Sequence, residues 1–348
     1  MPVPVLEQAQ SEILSLYGTG MSVMEISHRS KVFGDVLNKA EHGIREALAV
    51  PANYRILFLQ GGATLQFSMI PMNFLAVGGS ADYIITGAWG KKAFDEAAKI
   101  GEPAAIYSTE ASGFRSVPEP GDVKIGLDSR YVHYTSNETI DGVEFHYDLD
   151  GGGVPVVCDM SSNILSKPID VEKYDLIYAG AQKNIGPSGV TVVIVRDEML
   201  DMVSPGLPAI LDLRQLVKND SMVNTPNTWG IYLIGLVCDW LSGEGGVGAM
   251  AVRNREKAAL LYDAIDTSDG YYTGHAEVAS RSLMNVTFRL PSEQLEDKFS
   301  AKATELGLDG LRGHRSVGGI RASIYNAFPR EGVEALVDFM QDFSRRNG

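Results

Sequence analysis

The sequence has few cysteines, no long hydrophobic run and a shortage of basic residues, and each shortage excludes a class of protein. Only Cys158 and Cys238 are cysteines among 348 residues, and their apolar surroundings predict buried thiols in a reducing cytoplasm rather than a disulfide. No apolar run approaches the roughly 20 residues of a membrane span. With 30 basic and 44 acidic residues the net charge is −14, which argues against nucleic acid or an anionic membrane as a partner.

Several catalytic and targeting motifs are also missing. The first residues, 1–7, have no basic segment and do not predict a secretory signal. The sequence contains no His-Glu-x-x-His, no paired Cys-x-x-Cys and no Gly-x-Ser-x-Gly, so metal and serine-hydrolase interpretations lack support. Residues 243–248 formally match Gly-x-Gly-x-x-Gly, but a helical pattern precedes them where a dinucleotide site needs a strand. We interpret this stretch as a helix break.

The remaining pattern alternates short apolar strands with helical segments. Strands are predicted at 55–59, 82–86, 104–107, 131–134, 154–159, 176–179, 191–195 and 283–290, with a strand pair over 310–324, and helices at 5–16, 65–75, 91–100, 228–265, 293–306 and 331–345. This order predicts an α/β fold whose mainly parallel sheet is covered on both faces. We expect a large domain over 17–240 and a small domain formed by 1–16 and 241–348.

Two of the predicted strands end in residues that together suggest one kind of chemistry. Apolar residues 156–158 run into Asp159, and residues 174–182 form an apolar strand and a small-residue turn before Lys183. A lysine amine and a buried carboxylate are the minimum equipment of a pyridoxal 5′-phosphate (PLP) enzyme, one to bind the aldehyde and one to keep the pyridine nitrogen protonated. The alternatives are a helix cap for Asp159 and an exposed loop lysine for Lys183.

Two further features suit a phosphorylated, flat cofactor. The segment Gly61–Thr64 lies between a strand and a helix, where backbone N–H groups and the helix N-terminus attract phosphate. Trp89 follows the end of a strand between glycines and could stack on a flat ring. A plain strand-to-helix turn and an edge-packed tryptophan are the alternatives for these two features.

Basic residues gather in a few places of this acidic chain. His28, Arg29 and Lys31 form one cluster, and residues 312–315 with Arg321 close behind form another. Such clusters in an acidic protein predict binding of small anions, whereas solvated surface charge is the alternative interpretation.

With these residues in view, the chain resembles the phosphoserine aminotransferase family, PLP enzymes of fold type I in the class-V aminotransferase group. The resemblance spans nearly the whole chain and is carried by the strings at 22–31, 60–67, 86–89, 137–142, 180–187, 224–226, 313–315 and 321–327. Their joint order, rather than any one string, makes the resemblance specific. It implies a large domain with a seven-stranded type of sheet and a smaller C-terminal α/β domain.

The resemblance also implies a role for individual residues. Lys183 resembles the Schiff-base lysine and Asp159 the partner of the pyridine nitrogen, both catalytic, while Trp89 resembles the residue stacked on the ring. The other matches to cofactor contacts are Ala63, Thr64, Thr139 and Gln182, together with Asn224 and Thr225, which in the family reach the cofactor phosphate from the neighbouring subunit. Matches to substrate contacts are Arg321 for the α-carboxylate and His28, Arg29, His314 and Arg315 for the phosphate or side-chain carboxylate.

The implied activity is amino-group transfer between L-glutamate and 3-phosphohydroxypyruvate, giving O-phospho-L-serine and 2-oxoglutarate in serine biosynthesis. A cytoplasmic homodimer with composite sites and no metal is expected. The family usually begins with a Phe-Ser-x-Gly-Pro-like segment, whereas Met1 stands just past that point, and we expect cofactor binding to survive. The alternatives are another class-V PLP aminotransferase, or a catalytically impaired PLP-binding form lacking that segment.

Overall fold

The described strands form one large sheet, one small sheet and one hairpin. The computed structural model describes residues 1–75, 79–315 and 317–348. The strands are β1 (Tyr54–Leu59), β2 (Ser80–Ile85), β3 (Glu102–Ser108), β4 (Val132–Thr135), β5 (Asn137–Glu138), β6 (Val143–Glu144), β7 (Val156–Asp159), β8 (Leu176–Gly180), β9 (Thr191–Arg196), β10 (Thr273–Gly274), β11 (Asn285–Arg289) and β12 (Ile320–Ser323).

The large sheet has seven strands in the order β1-β9-β8-β7-β4-β2-β3 within the described residues. Strands β3, β2, β4, β7 and β8 are parallel neighbours, and β9 runs antiparallel to both β8 and β1. The prediction of a mainly parallel sheet is therefore confirmed. Continuous β-branched runs such as 192–195, all fully buried, suit strands that are covered on both faces.

The helices lie on both faces of the large sheet and around the small one. They are α1 (Val3–Glu12), α2 (Lys31–Ala47), α3 (Gly62–Phe74), α4 (Ala88–Ala97), α5 (Asp197–Leu200), α6 (Leu213–Lys218), α7 (Thr228–Gly243), α8 (Gly246–Asp266), α9 (Glu293–Glu305) and α10 (Arg330–Asn347). Apolar side chains of α1, α2 and α7 pack against one face of the large sheet, and those of α3 and α4 against the other.

The long helical stretch predicted over 228–265 is two helices, as the interpretation of 243–248 as a break requires. Helix α7 ends at Gly243 and α8 begins at Gly246. Gly245 has a φ of 94°, in the left-handed region that glycine adopts without strain. This stretch therefore follows a helix rather than a strand, and it is not a dinucleotide site.

The small sheet, β10-β11-β12, packs with α8, α9 and α10 around a third apolar cluster. The strand pair predicted over 310–324 is wrong in its first half: β12 pairs with β11, and Arg312 makes only an isolated bridge to Ile320. Gly318 and Gly319 have φ values of 77° and 72°, which extended strands do not use, so this stretch turns instead.

The division of the chain into 17–240 and a small domain of 1–16 and 241–348 stays a prediction. Val5, Ala9 and Leu16 pack in the cluster that α2 and α7 form against the large sheet. Cys158 and Cys238 are both free and buried, as predicted. In the described residues no helix combines the length and apolar character that crossing a membrane requires.

Candidate active site

The carboxyl ends of the parallel strands β7 and β8 lie side by side at one edge of the large sheet. Asp159 is the last residue of β7, and Lys183 comes three residues after β8 ends at Gly180. Ligands of open α/β sheets bind at this edge, because the loops that follow the strands converge there. The two residues that the sequence singled out are brought together, close enough for the charge of Asp159 to act on the Lys183 amine.

The Lys183 amine lies between a hydroxyl group and an aromatic ring. Its Nζ donates a hydrogen bond of 2.6 Å to Thr139 Oγ1 and lies 5.2 Å from the ring centroid of Trp89. Burial lowers the pKa of the amine, Asp159 and Glu138 raise it, and the nearby Arg321 lowers it. A lowered pKa increases the neutral fraction of the amine, which is the form that attacks a carbonyl carbon.

Asp159 is buried, and its carboxylate accepts hydrogen bonds. Its Oδ1 accepts from the Ser161 N–H at 2.8 Å and from Ser161 Oγ at 2.6 Å, and the nearby Tyr178 hydroxyl helps to lower the pKa of this carboxylate. Burial raises the pKa of Asp159, whereas Lys183 and these donors lower it. In the described residues no helix begins at Asp159, so it does not act as a helix cap; it accepts hydrogen bonds in a turn at Ser161 while it lies beside Lys183.

Helix α3 offers an N-terminus that no side chain caps within the described residues. It begins after Gly61, which has a φ of 89°, and its first residue Gly62 has a φ of 66°. Ala63 and Thr64 lie in the first turn. The backbone N–H groups of such a turn and the helix dipole form a site for phosphate.

Lys183 also lines a cavity of about 570 Å³, here called the Lys183 cavity. Gln182 lies on its wall beside Lys183, and Tyr325 contributes from the segment after β12. Residues 1–3 complete the wall on the side of α1. With Val237 and Trp240 of α7, the cavity is therefore bounded by four distant parts of the sequence.

Glu138 and Asp141, which sequence reasoning missed, connect the site to α4. Glu138 accepts hydrogen bonds from the N–H groups of Trp89 at 2.9 Å and Gly90 at 2.7 Å, and Asp141 accepts from Ala88 at 3.1 Å. The available signal was two acidic residues within the 137–142 string, on either side of Thr139. Their carboxylates accept the first N–H groups of α4, whereas no side chain within the described residues does so for α3.

A basic cluster lies beside Lys183. Arg321, on β12, has a buried Nε–H with no hydrogen-bond partner among the described residues. Burial lowers the pKa of His314, and the nearby charges of Arg321, Lys92 and Arg315 lower it further. Lys92, which the sequence did not single out, places its Nζ 4.3 Å from the centroid of the Trp89 ring. These charges form a region suited to an anion.

Four predicted contacts do not converge on Lys183 within one chain. Arg29 is exposed and His28 half-exposed, and in the described part of the chain no hydrogen bond or ion pair joins either side chain to Lys183. Asn224 and Thr225 are exposed beside the turn that precedes α3, where Gln60 donates to the Thr225 carbonyl at 3.0 Å. A single chain therefore brings together only part of the predicted set.

The fold and the paired strand ends define the class of protein. The family model described as aminotransferase class-V matches residues 1–336, and the chain belongs to this family. Within it, the chain is 53% identical to the phosphoserine aminotransferase of Laribacter hongkongensis (strain HLHK9) over 348 residues, covering 100% of this chain and 97% of the relative. It is also 53% identical to that of Geobacillus kaustophilus (strain HTA426), covering 99% and 96%.

Solved structures show the same likeness. The phosphoserine aminotransferase from Bacillus circulans subsp. alkalophilus superposes with a TM-score of 0.98 at 49% identity, covering 100% of this chain and 96% of that one. The PLP-bound enzyme from Trichomonas vaginalis superposes with a TM-score of 0.93 at 40% identity, covering 98% and 97%. The fold is thus that of the PLP-dependent aminotransferases, as the sequence predicted.

Proposed function

We propose that this chain uses PLP to transfer the amino group of L-glutamate to 3-phosphohydroxypyruvate, forming O-phospho-L-serine and 2-oxoglutarate. The observation that carries the proposal is the Lys183 amine, which lies beside Asp159 at one strand edge and next to the cationic Arg321. Identity of 53% to relatives named phosphoserine aminotransferase, over the whole chain, supports this substrate assignment.

The residues of this site fit PLP. The uncapped first turn of α3, with Ala63 and Thr64, would hold its phosphate, and Gln182 lies beside the lysine to assist. The buried carboxylate of Asp159 would face the pyridine nitrogen, whose positive charge would offset the cost of burying that carboxylate. Trp89 would form one wall for the ring. When bound, the cofactor acts as an electron sink for negative charge that develops on the substrate Cα.

Lys183 has two tasks in this proposal. Its neutral amine would hold the cofactor covalently, and once free its Nζ would take a proton from the substrate Cα. The depression of its pKa by burial suits both tasks, because a charged ammonium can neither attack nor accept a proton. Thr139, which accepts a hydrogen bond from Nζ at 2.6 Å, orients the amine.

Each substrate carries two anionic groups, and different residues of the basic cluster would bind each group. The buried Nε–H of Arg321 lacks a partner in the described structure and would bind the α-carboxylate that both substrates share. His314 and Arg315 would meet the second anion, the phosphate of one substrate or the side-chain carboxylate of the other. A phosphate and a carboxylate share acceptor oxygens, so one pocket can serve both halves of the reaction.

We also propose a cytoplasmic homodimer. His28 and Arg29, and Asn224 and Thr225, lie at the surface of one chain, where a second chain could receive them in its own site. Asn224 and Thr225 would then reach the cofactor phosphate across the interface. The free thiols of Cys158 and Cys238 support a reducing compartment. Sedimentation of the purified chain, alone and with PLP, tests the dimer.

The proposal is tested by the absorption spectrum of the purified chain with PLP, before and after single amino donors are added. We expect the bound-cofactor band to bleach with O-phospho-L-serine and with L-glutamate, and to persist with L-alanine and unphosphorylated L-serine. Bleaching by L-alanine would favour another class-V aminotransferase. A band that no donor bleaches would indicate a PLP-binding form without turnover, and the absence of a band would refute the proposal.

A further inference from the structure

Glu138, the last residue of β5, is an unusual residue for a buried position. Its side chain is fully buried, and no salt bridge neutralises it within the described residues. Burial raises the pKa of Glu138 and the neighbouring Asp141 acts in the same direction, whereas the N–H groups of Gly90 and Trp89 favour the ionised carboxylate and lower it. Burying a carboxylate without a cation is costly, so an apolar side chain would make a more stable core here. This cost indicates that the carboxylate serves a purpose other than core packing.

The carboxylate is used at the N-terminus of α4. Both of its oxygens accept backbone N–H groups, Oε2 from Trp89 at 2.9 Å and Oε1 from Gly90 at 2.7 Å. The first N–H groups of a helix have no partner inside the helix, and the helix dipole favours negative charge there. Glu138 therefore satisfies two of these groups, and it joins α4 to the β5–β6 hairpin.

The local sequence of α4 leaves room for this carboxylate. A Cβ added to Gly87 would lie 2.4 Å from Glu138 Cδ, and one added to Gly90 would lie 3.1 Å from Oε1. A side chain at Gly87 could not coexist with Glu138 in this position. The glycines on either side of the Ala88-Trp89 pair thus admit the Glu138 side chain.

Two residues in contact with the Lys183 amine are connected to Glu138, one through the chain and one through a hydrogen bond. Thr139, the next residue in the chain, accepts the hydrogen bond from Lys183, and Trp89, whose N–H binds Glu138, places its ring 5.2 Å from Nζ. Displacement of the carboxylate would change the distance between the hydroxyl and the ring.

We propose that Glu138 is a positioning residue, whose carboxylate holds the Trp89 wall and Thr139 at a set distance around the Lys183 amine. Glu138 itself touches neither the amine nor, on this geometry, any reacting atom. The inference rests on the proposed function, since the position of Trp89 matters to catalysis only when the cofactor ring lies against it.

The test compares the full-length wild type with Glu138→Gln and with a matched control, Asp82→Asn. Glutamine has nearly the same shape, but its NH₂ group cannot accept the second N–H bond. Asp82 is also buried and accepts a backbone N–H, that of Gly126 at 2.7 Å, but it lies near the start of β2, away from the site. Each variant is measured for hydrogen exchange of the peptide that spans the first turn of α4, without cofactor. The visible circular dichroism per bound PLP is then measured at saturation.

We expect Glu138→Gln to speed exchange in the first turn of α4 by about tenfold or more. It should also remove most of the visible circular dichroism and lower kcat more than it changes the KM for L-glutamate. Asp82→Asn should change none of these. Wild-type exchange, or a wild-type dichroism signal, in Glu138→Gln would overturn the proposal.

Two further measurements test the proposal if Glu138→Gln does not fold or if the wild type does not bind PLP. If Glu138→Gln does not fold, Glu138→Asp keeps the charge and withdraws it by one methylene, and wild-type values for both readouts in that variant would overturn the proposal. Exchange needs no cofactor, so it reports on Glu138 even if the wild type fails to bind PLP. In that case the proposed function would fail, and faster exchange in the variant would still support the placement of Trp89 by Glu138.

Discussion

We expect the folded protein to lose stability in acid, because the His133 side chain is buried and neutral. Its imidazole lies on β4, fully buried between the ring of Tyr83, with centroids 4.9 Å apart, and the ring of Tyr178, 6.0 Å away. Its Nε2 shares a hydrogen bond of 2.9 Å with the Tyr178 hydroxyl, and its Nδ1 has no partner in the described structure. Burial lowers the pKa of His133 to about 3, so the folded protein keeps this ring neutral.

The magnitude follows from the difference between the folded and unfolded states. A histidine in the unfolded chain titrates near pH 6.5, whereas the folded group resists protonation down to about pH 3. The folded pKa is depressed, so the stability associated with the neutral ring is present above pH 6.5 and is lost as the pH falls toward 3. Between pH 7.5 and pH 5.0 the loss is about 2 kcal/mol, at 1.36 kcal/mol for each pKa unit.

The assay is chemical denaturation of wild type and His133→Gln at several pH values and one protein concentration. Glutamine can still bond Tyr178 but does not titrate. We expect the stability advantage of wild type over the variant to shrink by about 2 kcal/mol between pH 7.5 and 5.0, while all other titrating groups cancel in the difference. A difference that stays constant with pH would refute the assignment of a buried neutral ring.

Three more outcomes are expected at the site itself. Lys183→Ala should lower turnover by about 10³-fold or more, because the group that moves the proton is gone, as measured by 2-oxoglutarate release. Arg321→Ala should raise the KM of both substrates roughly 30- to 150-fold, since a charged hydrogen bond contributes about 2–3 kcal/mol. Ser161→Ala removes the 2.6 Å bond to Asp159 and should weaken PLP binding by about tenfold, measured by titration.

Each of these variants has a contrary outcome, and the two cation variants also have a matched control. Lys302→Ala and Arg346→Ala remove exposed cations that pair with Glu305 and Asp342, and both should keep wild-type kinetics. Near-normal turnover in Lys183→Ala, or unchanged KM values in Arg321→Ala, would contradict the proposed roles. Ser161→Ala with wild-type PLP affinity would show that Asp159 does not depend on that hydroxyl.

The local sequence pattern predicted the helices and strands well where a segment is buried throughout or ends at a glycine. The fully buried run at 192–195 could only be an interior strand, and Gly245 marked the break between α7 and α8. The region 310–324 was predicted less well, because apolar spacing does not reveal the left-handed glycines that turn the chain before β12. Element ends also shifted by a few residues, since capping depends on distant partners.

The sequence by itself determined the class of fold and most of the chemistry. The position of Asp159 and Lys183 at the ends of buried strands follows from the order of residues, because parallel strands present their carboxyl ends at one edge. Only the tertiary structure decided what surrounds them. Glu138 was identified by its hydrogen bond to the Trp89 N–H, which is 49 residues away in the chain. Lys92 was identified because its Nζ lies over the Trp89 ring. Such contacts, and the desolvation that shifts the pKa of Lys183, arise only when distant segments pack together.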